Sequence, residues 1–387
     1  MWKLVFPGIA MIAVTYAFAR YSFGWFLPDI SSSLKLSESQ AGYVSSSAYL
    51  AYTIALLTAS IFIHHFGARR MILLSGTTAS LGMAGMALSQ GFYTLTLSAF
   101  LAGLGSGWVS PAFSQVVAQS VSSDLQDKRN TWINTGTSFG ILLTGPVALA
   151  FAEQWRWSYA LFAVFAMIVC LWNGYSIKEK KQETRMTHQI RISLKPLVKA
   201  RFLIMASIGI GFSSSIYWTF SKSYITAIHG LTVSESVGFW TIMGGAGILG
   251  GVAGAIIQSI GLHRSYLLGV VVVSASIFGL TNPNFAAIYF SALLFGVAFI
   301  FMTGLFIVWG TRQFPESPST GVSISFFSLG IGQSAGSIAA GMLIEGISYP
   351  FAFILFSIIG LLFLFCRTTI LPLSTKPKKN VEIAVKE

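Results

Sequence analysis

Twelve stretches of this chain are apolar for long enough to cross a lipid bilayer, and that property restricts the fold more than any other. A helix rises about 1.5 Å per residue, so about 20 mainly apolar residues cover the hydrocarbon layer. The stretches run over 4–28, 42–64, 71–90, 92–120, 131–152, 156–177, 202–228, 237–260, 265–281, 284–310, 320–344 and 349–370. Backbone groups inside lipid must be satisfied within the segment itself, which predicts an all-α membrane protein with 12 transmembrane helices. Only 9% of the residues are charged, against roughly 25% in a soluble domain.

The first twenty residues imitate a secretory signal, with Lys3, an apolar run and the small-residue sequence Ala-Phe-Ala at 17–19. Retention is expected, because the apolar run continues through Trp25 to Leu27 and eleven further spans follow. Cys170 and Cys366 lie in apolar spans and read as packing residues. The five histidines map to loops or helix ends, so no metal ligand and no cofactor is expected.

Lys and Arg in the loops set the orientation. With a cytoplasmic N-terminus, 20 basic residues fall on the cytoplasmic side and only Lys35 and Arg156 on the other. A multi-pass protein of the inner membrane with both termini cytoplasmic is therefore expected. Anionic lipid accounts for the net charge of +12, so the bilayer and no nucleic acid is the expected partner of these flanks.

The polar segment around 178–200 separates an N-terminal bundle (1–177) from a C-terminal bundle (201–371), with a cytoplasmic tail over 372–387. The halves carry a common spacing. Gly136, Gly140 and Gly145 recur as Gly332, Gly336 and Gly341, each 196 residues on, and Gly42 recurs as Gly238. Small residues four apart let helix backbones approach closely in lipid, so these glycines read as packing residues. The same close contact would let helices slide during a conformational change.

Twelve spans, a central cytoplasmic loop and two similar halves together resemble the major facilitator superfamily. The loop "SIFIHHFGARRMIL" (60–73) is similar to that family's G-x-x-x-D-R-x-G-R-R motif at Phe66, Gly67, Arg69 and Arg70, and departs from it at Ser60, His64 and His65. A weaker copy, "GAIIQSIGLHR" (254–264), keeps Gly254, Gly261 and Arg264. "GTSFGILLTGP" (136–146), ending in Gly145 and Pro146, resembles a Gly-Pro motif of the superfamily's exporters, and "AGLGSG" (102–107) resembles its fourth-span motif with Ala99 in place of arginine. The resemblance implies two pseudo-symmetric six-helix bundles and transport of a small-molecule substrate, with a coupling ion as a further partner, by a monomer.

Away from the span ends two charges remain inside spans, Arg20 in "FARYS" (18–22) and Lys222 in "FSKSY" (220–224). An arginine at the bilayer centre costs roughly 3 kcal/mol on insertion scales, so it is expected to face a polar cavity. Helical spacing places Tyr16, Phe23 and Gly24 on the Arg20 face, and Ser214, Ser215, Trp218, Thr219 and Thr226 on the Lys222 face. Two cations 8 Å apart would repel by about 2 kcal/mol at an effective dielectric of 20, which a bound anion would relieve. In the alternative reading both side chains reach toward the outer surface, or pair with Asp29, Glu153 or Glu345. Further candidates, from spans that the resemblance places around the pore, are Tyr49, Tyr52, Ser114, Gln115, Asn134, Ser138, Trp240, Ser325, Ser328 and Gln333.

These features predict a secondary transporter of an organic anion or anionic metabolite, working by alternating access. The alternatives are efflux of lipophilic compounds and a solute sensor that binds without moving its ligand. No H-E-x-x-H, G-x-S-x-G or G-x-x-x-x-G-K-[ST] motif points to an enzyme or an ATP-driven pump.

Overall fold

The computed structural model describes residues 2–120, 122–151, 154–178, 198, 200–315 and 317–368. Most of the expected linker and all of the tail 372–387 lie outside the described residues, as does Glu153. Among the described residues nine helices are long and apolar enough to cross a membrane: α1 (Trp2–Leu34), α2 (Glu38–Phe66), α3 (Ala68–Leu88), α4 (Phe92–Ser120), α7 (Trp155–Ser176), α8 (Arg201–Ala227), α11 (Leu262–Gly279), α12 (Phe285–Gln313) and α13 (Pro318–Gly346). A bent pair, α9 (Val233–Leu249) and α10 (Ala253–Ile260), makes a tenth when its two helices are counted as one broken span.

The two remaining expected spans are helical but shorter than a full crossing. The fifth is broken into α5 (Ser123–Asn134) and α6 (Gly136–Ala150), and the twelfth is α14 (Tyr349–Leu362) followed by one 3-10 turn. Helix ends also moved. The first span was expected to stop at residue 28, and the helix continues to Leu34. Pro28 does not end it, and the left-handed Lys35 does.

Local chemistry marks these ends. Capping boxes open α2 (Ser37 with Gln40) and α9 (Thr232 with Glu235), each satisfying two otherwise unpaired donors. Gly67 alone joins α2 to α3, with φ +87°, and Gly261 alone joins α10 to α11, with φ +83°. A side chain is strained at that backbone angle, so the weak sequence copy over 254–264 marks a real repeat of geometry. In the motif loop Arg69 donates to the Gly174 carbonyl at 2.7 Å, tying the start of α3 to the end of α7.

The glycine triplets explain how each half is assembled. A Cβ at Gly136 or Gly140 would overlap α1 at Ile9 or Ala17, and one at Gly332 or Gly336 would overlap the α8 backbone at Ile208 or Phe212. The third member turns to the opposite half in each case: Gly145 meets Val237 of α9, and Gly341 meets the Glu38 carbonyl of α2. The Gly42 and Gly238 pair is not equivalent. Gly42 abuts Ser337 across the halves, whereas Gly238 packs on Tyr289 within its own half.

Outward-facing apolar side chains cover α7, α11 and α14, as at Ile168 and Leu171, Phe278, and Ile358 and Leu362. With its apolar spans and apolar rim the chain is a multi-pass membrane protein.

Candidate functional site

Arg20 sits 18 residues from the start of α1 and 14 from its end, so it lies near the middle of the helix. Over Ala13–Tyr21 the helix takes π-type hydrogen bonding, which widens its turns and rotates the side chains that follow. The close approach of α6 through Gly136 and Gly140 runs along Ile9, just before this stretch, and Ala13 and Ala17 within it.

Arg20 is 6% exposed, and its guanidinium is enclosed by four tyrosine rings. Its Cζ lies 4.2 Å from the ring centre of Tyr52, 4.5 Å from Tyr21, 4.8 Å from Tyr16 and 5.6 Å from Tyr49. Cation–π contacts of this kind contribute about 0.5–2 kcal/mol each, more as water is excluded. They stabilise the charge but accept no N–H. Nη2 donates to the Tyr21 hydroxyl, while Nε and Nη1 have no hydrogen-bond partner among the described residues. A buried donor left unpaired costs about 1–3 kcal/mol, more on a charged group. The arrangement therefore favours an acceptor arriving from outside the chain.

An aromatic wall continues from this box across to the other half. Tyr21 stacks on Trp218 with ring centres 4.2 Å apart, Trp218 meets Trp240 edge-on at 6.3 Å, and Trp240 lies 5.6 Å from Trp25. Phe295 and Phe299 flank Trp218 at 5.3 and 5.2 Å. The indole N–H groups of Trp218 and Trp240 are buried and unpartnered, as are both amide atoms of Gln333. Gln333 lies one helical turn from Gly330, which packs on the Tyr52 ring.

Lys222 is placed differently. Its Nζ is 3.2 Å from Asp29 Oδ2 and 4.3 Å from the ring centre of Trp25, five residues from the end of α8. The expected pair of repelling cations is thus not what the structure contains, because Asp29 neutralises one of them. Thr219 is engaged as well, by Ser45 at 2.8 Å and Ser337 at 3.3 Å, and Ser214 and Ser215 bond carbonyls of their own helix. The polar stripe of α8 is therefore an interface between halves.

That interface lies toward the end of the molecule opposite the N-terminus. Gly24 lets the backbones of α1 and α8 cross in contact at Trp218, Ser46 bonds Ser334 at 2.7 Å, Ser39 N–H donates to Glu345 at 2.8 Å, and Tyr349 donates to Glu38 at 2.6 Å.

The remaining candidates scatter. Tyr16 bonds Ser110 at 3.1 Å, Ser325 bonds carbonyls at Gly321 and Phe306, and Ser138 packs near Gly247. Gln115 is half-buried on α4, Ser114 is exposed beside it, and Ser328 is buried on α13. Asn134 and Pro146 are exposed, Asn134 at the break between α5 and α6. Tyr21, Trp25, Phe295 and Phe299 were not among the candidates; the signal available was their position beside Arg20 or Trp218, which residue type alone does not reveal.

The family model described as the Major Facilitator Superfamily matches residues 9–328. The hexuronate transporter of Bacillus subtilis is 24% identical over 344 residues, covering 81% of this chain and 81% of that protein. The cis,cis-muconate transport protein of Acinetobacter baylyi is 20% identical over 380 residues, covering 90% and 92%. Among solved structures a D-xylose-proton symporter superposes with a TM-score of 0.79 at 14% identity, covering 96% of this chain and 99% of the other. The nucleoside transporter NupG superposes with a TM-score of 0.76 at 13% identity, covering 94% and 97%.

Proposed function

The chain belongs to the Major Facilitator Superfamily, and from that premise we propose that it is a secondary transporter of a small organic anion, with Arg20 as the contact for the anionic group. The observation that carries this reading is the buried guanidinium held by tyrosine faces, with Nε and Nη1 unpartnered and no carboxylate ion-paired to it among the described residues. Arg156, near the start of its helix, also has a buried unpartnered donor, Nη1, but Arg20 has two and lies in mid-span. Two relatives named for carboxylate solutes, hexuronate and cis,cis-muconate, support the same class.

Alternating access between two bundles fits the distribution of contacts. The halves meet backbone to backbone at Gly24, Gly42 and Gly341, and beyond these through the Asp29–Lys222 pair. With both termini cytoplasmic, as the basic loops indicate, this is the outer end, and the described state is the one closed to the outside. The bundles are the segments 1–177 and 201–371, and rocking about the site would open the outer end by parting these contacts.

The aromatic wall also suits efflux of lipophilic compounds, and that reading differs in one respect: it tolerates loss of Arg20. A thermal-shift screen of the purified protein against metabolites, repeated with Arg20→Ala, tests the assignment. Anions that stabilise only the parent support it. Ligands that stabilise both proteins equally favour the lipophilic reading.

A further inference from the structure

Resting on Arg20 as the anion contact, we infer that the cargo is a monocarboxylate with a flat, unsaturated or aromatic body, and neither a dianion nor a polyhydroxylated acid. The first ground is charge. Arg20 is uncompensated, whereas Lys222 already holds Asp29 at 3.2 Å. The site therefore presents one net positive charge, and a second carboxylate would have to displace Asp29 or remain buried without a counterion.

The second ground is the chemistry of the walls. Beyond the guanidinium they are rings: the four tyrosines of the box, then Trp218 and Trp240. A planar π-system stacks against such faces, and each aromatic contact adds to simple area burial. A polyol instead needs a partner for every hydroxyl, and the hydroxyls nearby are occupied: Tyr16 with Ser110, and Thr219 with Ser45 and Ser337. Among the wall residues named above, the unpartnered groups are the two indole N–H donors and the Gln333 amide. They suffice for the oxygens of one carboxylate or a single further polar substituent.

The test is isothermal titration calorimetry on the full-length purified protein with four probes: benzoate, glucuronate, cis,cis-muconate and the neutral isostere benzamide. Benzoate is expected to bind at least tenfold tighter than glucuronate and muconate, with benzamide binding not measurable. Arg20→Gln and the charge-retaining Arg20→Lys are both expected to weaken benzoate, the first more. Glucuronate or muconate binding as tightly as benzoate, in an Arg20-dependent manner, would overturn the cargo class and leave the anion reading intact. Binding of none of the three anions, equal binding of benzamide, or benzoate affinity unchanged in Arg20→Gln, would overturn both.

Discussion

Arg20 and Lys222 sit in sequences that echo one another, and the structure gives them opposite surroundings. Arg20 lies 14 residues from the end of α1, about 21 Å at helical rise, while Lys222 lies five residues from the end of α8, about 8 Å. The deep cation is surrounded by rings and left with unpartnered donors; the shallow one is neutralised by a carboxylate from the other half. A charge that binds cargo must be desolvated and unpaired, and a charge that joins two halves must be paired. On the proposed reading, depth separates the two uses.

If Lys222 belongs to the interface and Arg20 to the site, the interface can be fixed without touching Arg20. A Ser46→Cys, Ser334→Cys pair replaces hydroxyls 2.7 Å apart on opposite halves. Oxidation is expected to cross-link it and bring transport to background, with recovery on reduction; gel mobility and vesicle uptake report the two. Retained uptake in the cross-linked protein would remove the interface from the transport cycle.

Lys222→Ala leaves Asp29 partly buried without its cation, and a stability loss of about 1–3 kcal/mol is expected. Adding Asp29→Asn should restore more than half of it, read as denaturation midpoints of the single and double variants. Additive losses would show that the pair does not couple the halves.

Tyr21→Phe removes the acceptor of Arg20 Nη2 but keeps the ring. Anion affinity is expected to change about three- to tenfold, with the fold retained; this is less than the full worth of a charged hydrogen bond, about 1.5–3 kcal/mol, because the bond is present with and without the anion. Asn134→Ala, at an exposed position of the helix break, is expected to alter stability by about 0.5 kcal/mol or less and to leave uptake unchanged.

The repeated architecture was legible because close helix approach in lipid demands small residues, and the Gly136–Gly140 and Gly332–Gly336 pairs therefore appear in both halves at one spacing. Arg20 was legible for a similar reason: a buried charge in a span is too costly to be incidental. Tyr49 and Tyr52 could be proposed by residue type, but their convergence on Arg20 depends on how α2 rotates against α1. Tyr21 was hidden by the π-helical stretch, since regular spacing turns the residue after Arg20 away from it. Of the two readings offered for Lys222, pairing with Asp29 is the one the ion pair matches, and the sequence could not decide between them because Asp29 lies just past the expected end of the first span.

The most direct measurement is carboxylate counterflow in proteoliposomes, comparing the parent, Arg20→Gln, and the double variant Asp29→Asn, Lys222→Gln. Uptake lost in Arg20→Gln and largely kept in the double variant is the expected result. Uptake that survives removal of the guanidinium, in protein shown to be folded and inserted, would contradict the account.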